Sequence, residues 1–562
     1  MGVRVREVRK SECRPVMGRI TANAVTRKRA DFGLVTNHNN DCGVKTEMSK
    51  SEKLNDGKHP DVRVDSEPEW NSINWSHTEK AVARLQARIV KAQQEGRYGK
   101  VKSLNRILTR SFAAKALAVK RVTSNRGSKT PGVDGETWNT NERKAQAILE
   151  LQQDSYRAKP LRRKYIHKQG SDKKRPLGIP TMKDRAMQAV YSTGLAPVAE
   201  ATSDPNSYGF RPCRCCQDAI DQIAGMMSRS TRPQWILEGD IKGCFDNISH
   251  DWIMEHIPVE KRILAQWLKC GYIEDHRLYY NEAGTPQGGI ISPVIANMVL
   301  DGIETMLNRK FKVWTIVNGK PGWKSPNKDQ NRHVNFVRYA DDFIVTGDSE
   351  EFLEKEVKPM IRDFLAKRGL ELSEKKTLIT HIETGFDFLG FNIRTYNGKL
   401  VIKPSESRVK RFKQKVDEVF KNNRNVQTIY LIGRLNPMLR GWANYYRFVS
   451  SSKEFSSLSN WMWQKVWHWA CRRHPKKSKT WVKQKYFTRI GNRDWILFDM
   501  DEKGNRITLF DPKDVKILRH KKIKSGANPY ATEDAEYFAK RKESGTVGCR
   551  VANSSDIDRA GC

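Results

Sequence analysis

The stretch VRYADDFIVTG, residues 337–347, sets two carboxylates side by side, Asp341 and Asp342, inside an apolar run. Val337, Tyr339, Phe343, Ile344 and Val345 all favour strands. Two adjacent acids held there repel each other by roughly 4 kcal/mol at about 4 Å and an effective dielectric near 20. Neither tolerates burial alone. A divalent cation relieves both penalties. Magnesium prefers oxygen ligands and keeps open positions for phosphate groups. A further acid must then come from elsewhere in the chain, and Asp240 is the candidate. It follows the strand-like WILEG in WILEGDIKGCFDNI (235–248), 101 residues before Asp341. A strand next to the acid pair would bring it into the same site.

Charge narrows the substrate. The 562 residues carry 102 Lys+Arg against 64 Asp+Glu, a formal net charge of +38, which calls for a polyanion partner, most simply nucleic acid. On a nucleic acid, two metals about 3.5–4 Å apart activate an attacking 3′-hydroxyl and stabilise the leaving pyrophosphate. Hydrophobic content of 38% is low but sufficient for real cores, and the length suggests three or four domains. No apolar stretch approaches 18 residues, so no membrane span is expected. The N-terminus MGVRVREVRK lacks the apolar segment of a secretory signal. Ten scattered cysteines, with no second CxxC spacing beyond Cys213–Cys216, read as reduced thiols, and the expected location is cytoplasmic. Cys213, Cys215 and Cys216 cluster without a second ligand pair and read as structural.

Along the chain, residues 1–70 are polar and aperiodic, an extension. From Trp75, helical faces follow: Val82, Leu85 and Ile89, then Val101, Leu104 and Leu108, with Gly96 and Gly99 between them. Residues 160–400 alternate strand-like and helix-like segments. Residues 405–424 read as a helix with Val409, Phe412, Val416, Val419 and Phe420 on one face and basic residues largely on others. Residues 428–487 read as helical and tryptophan-rich, and 488–545 as short strands with basic runs such as LRHKKIKSG (518–526).

The acids sit within an ordered set: RPLGIPT (175–181), YGFRP (208–212), WILEGDIKGCFDNI, GTPQGGIISPVIANMVL (284–300), YADD, GLELSEKKT (369–377) and FDFLGF (386–391). These seven motifs, in this order, resemble the fingers and palm of reverse transcriptases, most closely the group II intron-encoded class, the intron maturases. The segment LIGRLNPMLRGWANYYRFV (431–449) resembles the maturase domain of that class. The resemblance runs from about Trp75 to about Arg541.

It implies an α/β (α+β) right-hand polymerase. Fingers with an extra N-terminal element cover 71–235, the palm 236–400 with some interleaved fingers-like segments, and the thumb starts at 401–427. A helical thumb/maturase domain at 428–487 and a small DNA-binding region at 488–545 follow, with a tail at 546–562. By resemblance, Asp240, Asp341 and Asp342 are the catalytic carboxylates, and with the Ile241 carbonyl they hold two Mg2+ ions, for which Mn2+ can substitute. Lys168 and Arg175 would hold the incoming dNTP's triphosphate, Phe245 would exclude a ribose 2′-hydroxyl, and Gln287 would pack near the templating pair. An aromatic at 245 is also an ordinary core residue.

For RNA, the candidates are Arg440, Trp442, Tyr445, Tyr446, Arg447, Arg472, Arg473, Lys476 and Lys477, which combine rings that stack with charges that meet phosphates. The tryptophans at 461, 463, 467 and 469 point to several sides of one helix and read mainly as core. The implied partners are a group II intron RNA, in a ribonucleoprotein, and target DNA, with the protein a monomer or dimer. The implied activity is RNA-directed DNA synthesis combined with splicing assistance. A splicing-only RNA-binding maturase and a reverse transcriptase domesticated for defence are the alternatives. Cys549 and Cys562 cannot build the zinc site of the HNH nuclease that many relatives carry. The expectation is therefore insertion into one DNA strand without cleavage of the other, with a primer from outside.

Overall fold

The computed structural model describes residues 69–167, 174–228, 232–317, 320–324 and 332–543. The expected polar extension, apart from its last two residues, and the tail at 546–562 lie outside the described residues, as does Lys168.

Three helices open the described chain: Trp75–Gln94, Tyr98–Arg110 and Phe112–Ser124. Asn74 caps the first by accepting from the His77 amide at 3.0 Å, and Ser111 caps the third by accepting from the Ala114 amide at 3.2 Å. Val82, Ile89, Val101, Leu104 and Leu108 pack together against Val198 of the long helix Met182–Thr202. The turn between the first two helices forms at Gly96, whose φ of +68° suits a residue without a side chain, while Gly99 falls inside the second helix.

The catalytic region is built on a four-stranded antiparallel sheet in the order Leu378–His381, Trp235–Gly239, Asp342–Gly347, Asn335–Tyr339. Its side chains alternate between two cores, as the period of a strand requires. Leu237, Phe343 and Val345 join the larger cluster with Val299, Leu307 and Ile361 of the helices on one face. Ile236, Ile344 and Val337 join a second cluster with Ile220 and Ile223 of the helix Cys216–Met227 on the other. A separate four-stranded sheet carries Lys174–Ile179 and Leu161–His167, followed by Tyr272–Glu274 and Arg277–Tyr279.

The helix expected at 405–424 spans Glu406–Asn422, and Phe412, Val416 and Phe420 are its buried face. Thr428–Tyr446, Ser452–Arg473 and Lys479–Tyr486 complete the helical domain, around Leu431, Leu435, Leu439, Leu458, Met462 and Val466. Among its tryptophans Trp469 is buried, while Trp463 is 39% exposed. Three short strands within 487–508 extend this core through Leu497.

Beyond them the chain turns back to the helix Cys216–Met227, which packs on the palm sheet. Asp218 of the helix Cys216–Met227 is fully buried and accepts from the Ile523 amide at 2.7 Å and from Arg541 Nη2 at 3.0 Å, with His520 Nε2 at 2.9 Å. The basic run at 518–526 is thus partly consumed in holding the C-terminal segment to the palm. Cys215 Sγ lies 3.3 Å from Asp218, and burial raises the pKa of the Cys215 and Cys216 thiols, which keeps both protonated. Cys215, Asp218 and His520 gather as metal ligands would, yet the Arg541 cation already occupies the same carboxylate oxygen. Among the described residues no helix is long and apolar enough to cross a membrane.

Candidate active site

The acid pair sits at the tip of a hairpin, with Asp341 in its turn and Asp342 first in the strand Asp342–Gly347. Tyr339 pairs with Asp342, which leaves Ala340 and Asp341 as a two-residue turn. The strand-favouring residues Val337, Tyr339, Phe343, Ile344 and Val345 all fall in the two strands of this hairpin. The turn lifts the acids out of the core while the strands behind them stay buried. Ala340 adopts a left-handed φ of +59°, which costs a residue with a side chain about 1–2 kcal/mol. Arg338, fully buried, supports it by donating to the Ala340 carbonyl at 3.2 Å, to Asn297 Oδ1 at 3.0 Å and to Asp301 Oδ1 at 2.6 Å. Gly209 passes so close that a Cβ there would meet the Ala340 nitrogen at 2.3 Å.

Register brings in the third acid. Gly239 pairs with Phe343, so Asp240 emerges beside Asp342 at the same end of the sheet. The three carboxylates feel one another. Desolvation, then the charges of Asp341 and Asp240, push Asp342 up to about 7. Asp341 is also raised, by desolvation first and by the Asp240 charge. Lys376 Nζ lies 2.6 Å from Asp240 Oδ2, placing a cation against the acids. The GLELSEKKT segment that carries it is stitched to the site: Ser373 donates to the Asp240 carbonyl at 2.8 Å and the Lys242 amide to Glu371 at 2.9 Å. This bridge uses the carbonyl of Asp240 and the amide of Lys242, so the Ile241 carbonyl stays out of the ladder while its side chain is core. Three neighbouring carboxylates and a carbonyl are the oxygen donors that hard divalent ions take, and the Lys376 ammonium places positive charge against them.

Phe245 is half-buried on the short helix Cys244–Asn247, its ring 6.2 Å from that of Phe210 and edge-on at 77°. The loop that carries Gln287 is sewn to this turn, with Thr285 donating to the Phe245 carbonyl at 2.6 Å and Gly284 to that of Ile248 at 2.8 Å. The Gln287 carbonyl accepts from the Gly178 amide at 2.8 Å, on the strand that begins Lys174, Arg175. Arg175 is exposed, and its charge lowers the pKa of both Asp341 and Asp246 against the larger effect of desolvation. The structure thus brings Asp240, Ile241, Asp341, Asp342, Phe245, Arg175 and Gln287 around one cleft.

The expected RNA-binding residues divide in two. Trp442, Tyr445 and Tyr446 are corrected from stacking surfaces to packing residues. Tyr446 is 4% exposed, and its hydroxyl donates to the Gly390 carbonyl at 3.1 Å while that of Tyr445 donates to Leu389 at 2.9 Å. Trp442 stacks on Phe412 at 5.2 Å, and Tyr445 on Phe391, also at 5.2 Å. These rings fasten the helix Thr428–Tyr446 to the FDFLGF hairpin and the thumb helix, leaving little ring face for a base. The cations lie outward: Arg440, Arg472, Lys476 and Lys477 are exposed, while Arg447 donates to the Lys516 carbonyl at 3.3 Å and Arg473 to that of Val426.

Arg338, with Asn297 and Asp301, and Lys376 were not anticipated. Their only sequence signals are an arginine set one tyrosine before ADD and a lysine pair in GLELSEKKT. Either reads as surface charge until the fold buries one and aims the other.

Comparison with known proteins agrees with this geometry. Residues 166–393 match the family described as reverse transcriptase (RNA-dependent DNA polymerase), residues 70–151 the N-terminal domain of reverse transcriptase, and residues 409–487 the group II intron maturase-specific domain. The group II intron-encoded protein LtrA of Lactococcus lactis subsp. cremoris is 29% identical over 422 residues, 60% of this chain and 69% of that protein. Protein YkfC of Escherichia coli (strain K12) is 30% identical over 308 residues, half of this chain and 79% of that protein. A telomerase structure from Candida albicans, in complex with a fragment of telomeric RNA, aligns at a TM-score of 0.32 and 14% identity over 60% of this chain and 65% of that one, too loosely to add to the assignment. The chain belongs to the group II intron-encoded reverse transcriptase and maturase family: it is an RNA-directed DNA polymerase that also serves intron splicing.

Proposed function

We propose that Asp240, Asp341 and Asp342, with the Ile241 carbonyl, hold two magnesium ions, replaceable by manganese, and that the protein uses them to copy its own intron RNA into DNA at a target site. The observation that carries this reading is the Gly239–Phe343 register, which sets Asp240 beside the Asp341–Asp342 turn. When bound, the ions supply Lewis acidity to the 3′-hydroxyl and to the leaving pyrophosphate. The chain's own residues do the rest. Arg175 meets the triphosphate with a charge-assisted contact, and Lys168 is proposed to do the same. The Phe245 ring closes the space a 2′-hydroxyl would need. Gln287 lies against the nascent pair. The exposed cations Arg440, Arg472, Lys476 and Lys477 are proposed to bind intron RNA phosphates, forming a ribonucleoprotein in the cytoplasm.

The test uses purified full-length protein, a primed RNA template and dNTPs. Extension should require magnesium or manganese and vanish in Asp341→Ala. The same variant should still promote splicing of the cognate intron, which needs binding and not palm chemistry. Wild-type extension by Asp341→Ala would remove the palm assignment. Equal affinity for the cognate intron and an unrelated structured RNA would remove the maturase partner.

A further inference from the structure

A fourth carboxylate borders the cleft and has no part in the metal reading. Asp246 lies directly after Phe245 on the turn Cys244–Asn247. Gln287 Nε2 donates to both of its oxygens, at 3.2 and 3.3 Å. A carboxylate has nothing to donate, so this contact decides which way the amide faces. The nitrogen goes to Asp246, and the Gln287 carbonyl oxygen is turned away from it. The surrounding backbone is held to the same end. Gly284 approaches the turn so closely that a Cβ would lie 2.5 Å from the Asp246 carbonyl, and a Cβ on Gly288 would lie 2.6 Å from that of Gly178. Both glycines have positive φ, +86° and +116°. The loop therefore has little freedom apart from the Gln287 side chain itself, and Asp246 removes that. Desolvation raises the Asp246 pKa, an effect that the Arg163 charge, the Gln287 hydrogen bond and the Arg175 charge offset in part.

We infer that Asp246 is a positioning residue for nucleotide selection: it locks the Gln287 amide so that an acceptor oxygen, and never a donor, faces the templating pair. This rests on the reading that Gln287 packs near that pair. A freely flipping amide would offer a donor about as often as an acceptor, and a mismatched pair with a misplaced acceptor could then find a partner. The locked orientation leaves such a pair unsatisfied, which disfavours its incorporation.

The experiment measures incorporation of correct and mismatched dNTPs on an RNA template, with kcat and KM separated, for five variants of the full chain. Asp246→Ala and Gln287→Ala should each lower discrimination by about tenfold, and the double variant should be no worse than either, because the two residues act as one unit. Gln287→Glu sets two carboxylates against each other and should lose discrimination. Adding Asp246→Asn to it reverses donor and acceptor, still leaves an acceptor oxygen facing outward, and should restore discrimination severalfold. A merely structural role would not produce this rescue. The inference is overturned if Asp246→Ala discriminates as wild type, if the two alanine effects multiply, or if Asp246→Asn fails to improve Gln287→Glu. The swap decides the matter even where the alanine variants fold poorly. Absence of any DNA synthesis by the wild type would instead remove the proposed function.

Discussion

The guanidinium of Arg338 spans the Asp301 carboxylate, 2.6 Å away, and the Ala340 carbonyl at 3.2 Å, so that one fully buried cation both closes an ion pair and supports the catalytic turn. Burial raises the pKa of Asp301 even with this partner beside it. Removing Arg338 leaves the Asp301 charge uncompensated, a loss of about 3–5 kcal/mol. Arg338→Met should lower the urea midpoint sharply. Arg338→Lys should be intermediate in stability yet poor in DNA synthesis, since one ammonium cannot reproduce the planar fork that reaches Asn297, Asp301 and Ala340 together. Near-normal extension by Arg338→Lys would separate the turn from this arginine.

Lys376 tests the electrostatics from the other side. Its ammonium contacts Asp240 at 2.6 Å, where a metal ion would compete for the same oxygen. Lys376→Met should lower the magnesium concentration needed for half-maximal thermal stabilisation by severalfold, measured without nucleotide so that turnover plays no part. A higher requirement would mean that Lys376 helps to build the ion site.

These two lysine and arginine contacts also show where a sequence stops being informative. Asp240 was traceable because two adjacent acids have a cost that demands a partner, and an aspartate after a strand-like run could answer it. The thumb helix was legible because Val409, Phe412, Val416 and Phe420 repeat at helical spacing, a local property. Arg338 has no such signature, since its role depends on Asp301 arriving from the end of the helix Ser292–Leu300. The same holds for Asp218, whose partners His520 and Arg541 lie 302 and 323 residues away. The maturase aromatics failed for a related reason. A ring that stacks on a base and a ring that stacks on Phe412 or Phe391 look alike until packing is known.

Phe245 gives a specificity prediction. Its ring is half-buried, meets Phe210 edge-on and also packs against the larger core, so selectivity is the readout that separates a gate from a packing residue. Phe245→Ala should lower dNTP over rNTP discrimination by at least about tenfold, or about 1.4 kcal/mol, read as the ratio of kcat/KM values. Unchanged discrimination would return Phe245 to a packing role.

The division within the maturase domain predicts two distinct phenotypes. Lys476→Glu with Lys477→Glu should weaken intron binding and flatten its salt dependence by roughly one to two units of slope, as expected when phosphate contacts are lost. Tyr446→Phe removes a hydroxyl that donates to Gly390 and should cost about 1 kcal/mol of stability with no change in the salt slope. An RNA-binding defect from Tyr446→Phe at full stability would overturn the inward assignment.

Glu304 predicts a pH dependence of folding. It is 6% exposed and accepts from the Asn206 amide at 2.9 Å and from Asn206 Nδ2 at 2.7 Å. Desolvation, reinforced by the Asp204 charge, still raises its pKa from 4.5 to about 7. Between those values the folded state holds a proton that the unfolded chain has released. By linkage, the contribution of Glu304 to stability is greatest below pH 4.5, falls as pH rises toward 7, and is flat above it. The full span is on the order of 3 kcal/mol, taken as an upper bound. Glu304→Gln keeps a neutral side chain at every pH and removes this slope. Its stability relative to wild type should therefore improve by about 1–3 kcal/mol from pH 5 to pH 8, measured by chemical unfolding of both proteins in parallel. A difference that stays constant across that range would show that Glu304 is ionised throughout, with the Asn206 donors and Lys312 outweighing its burial.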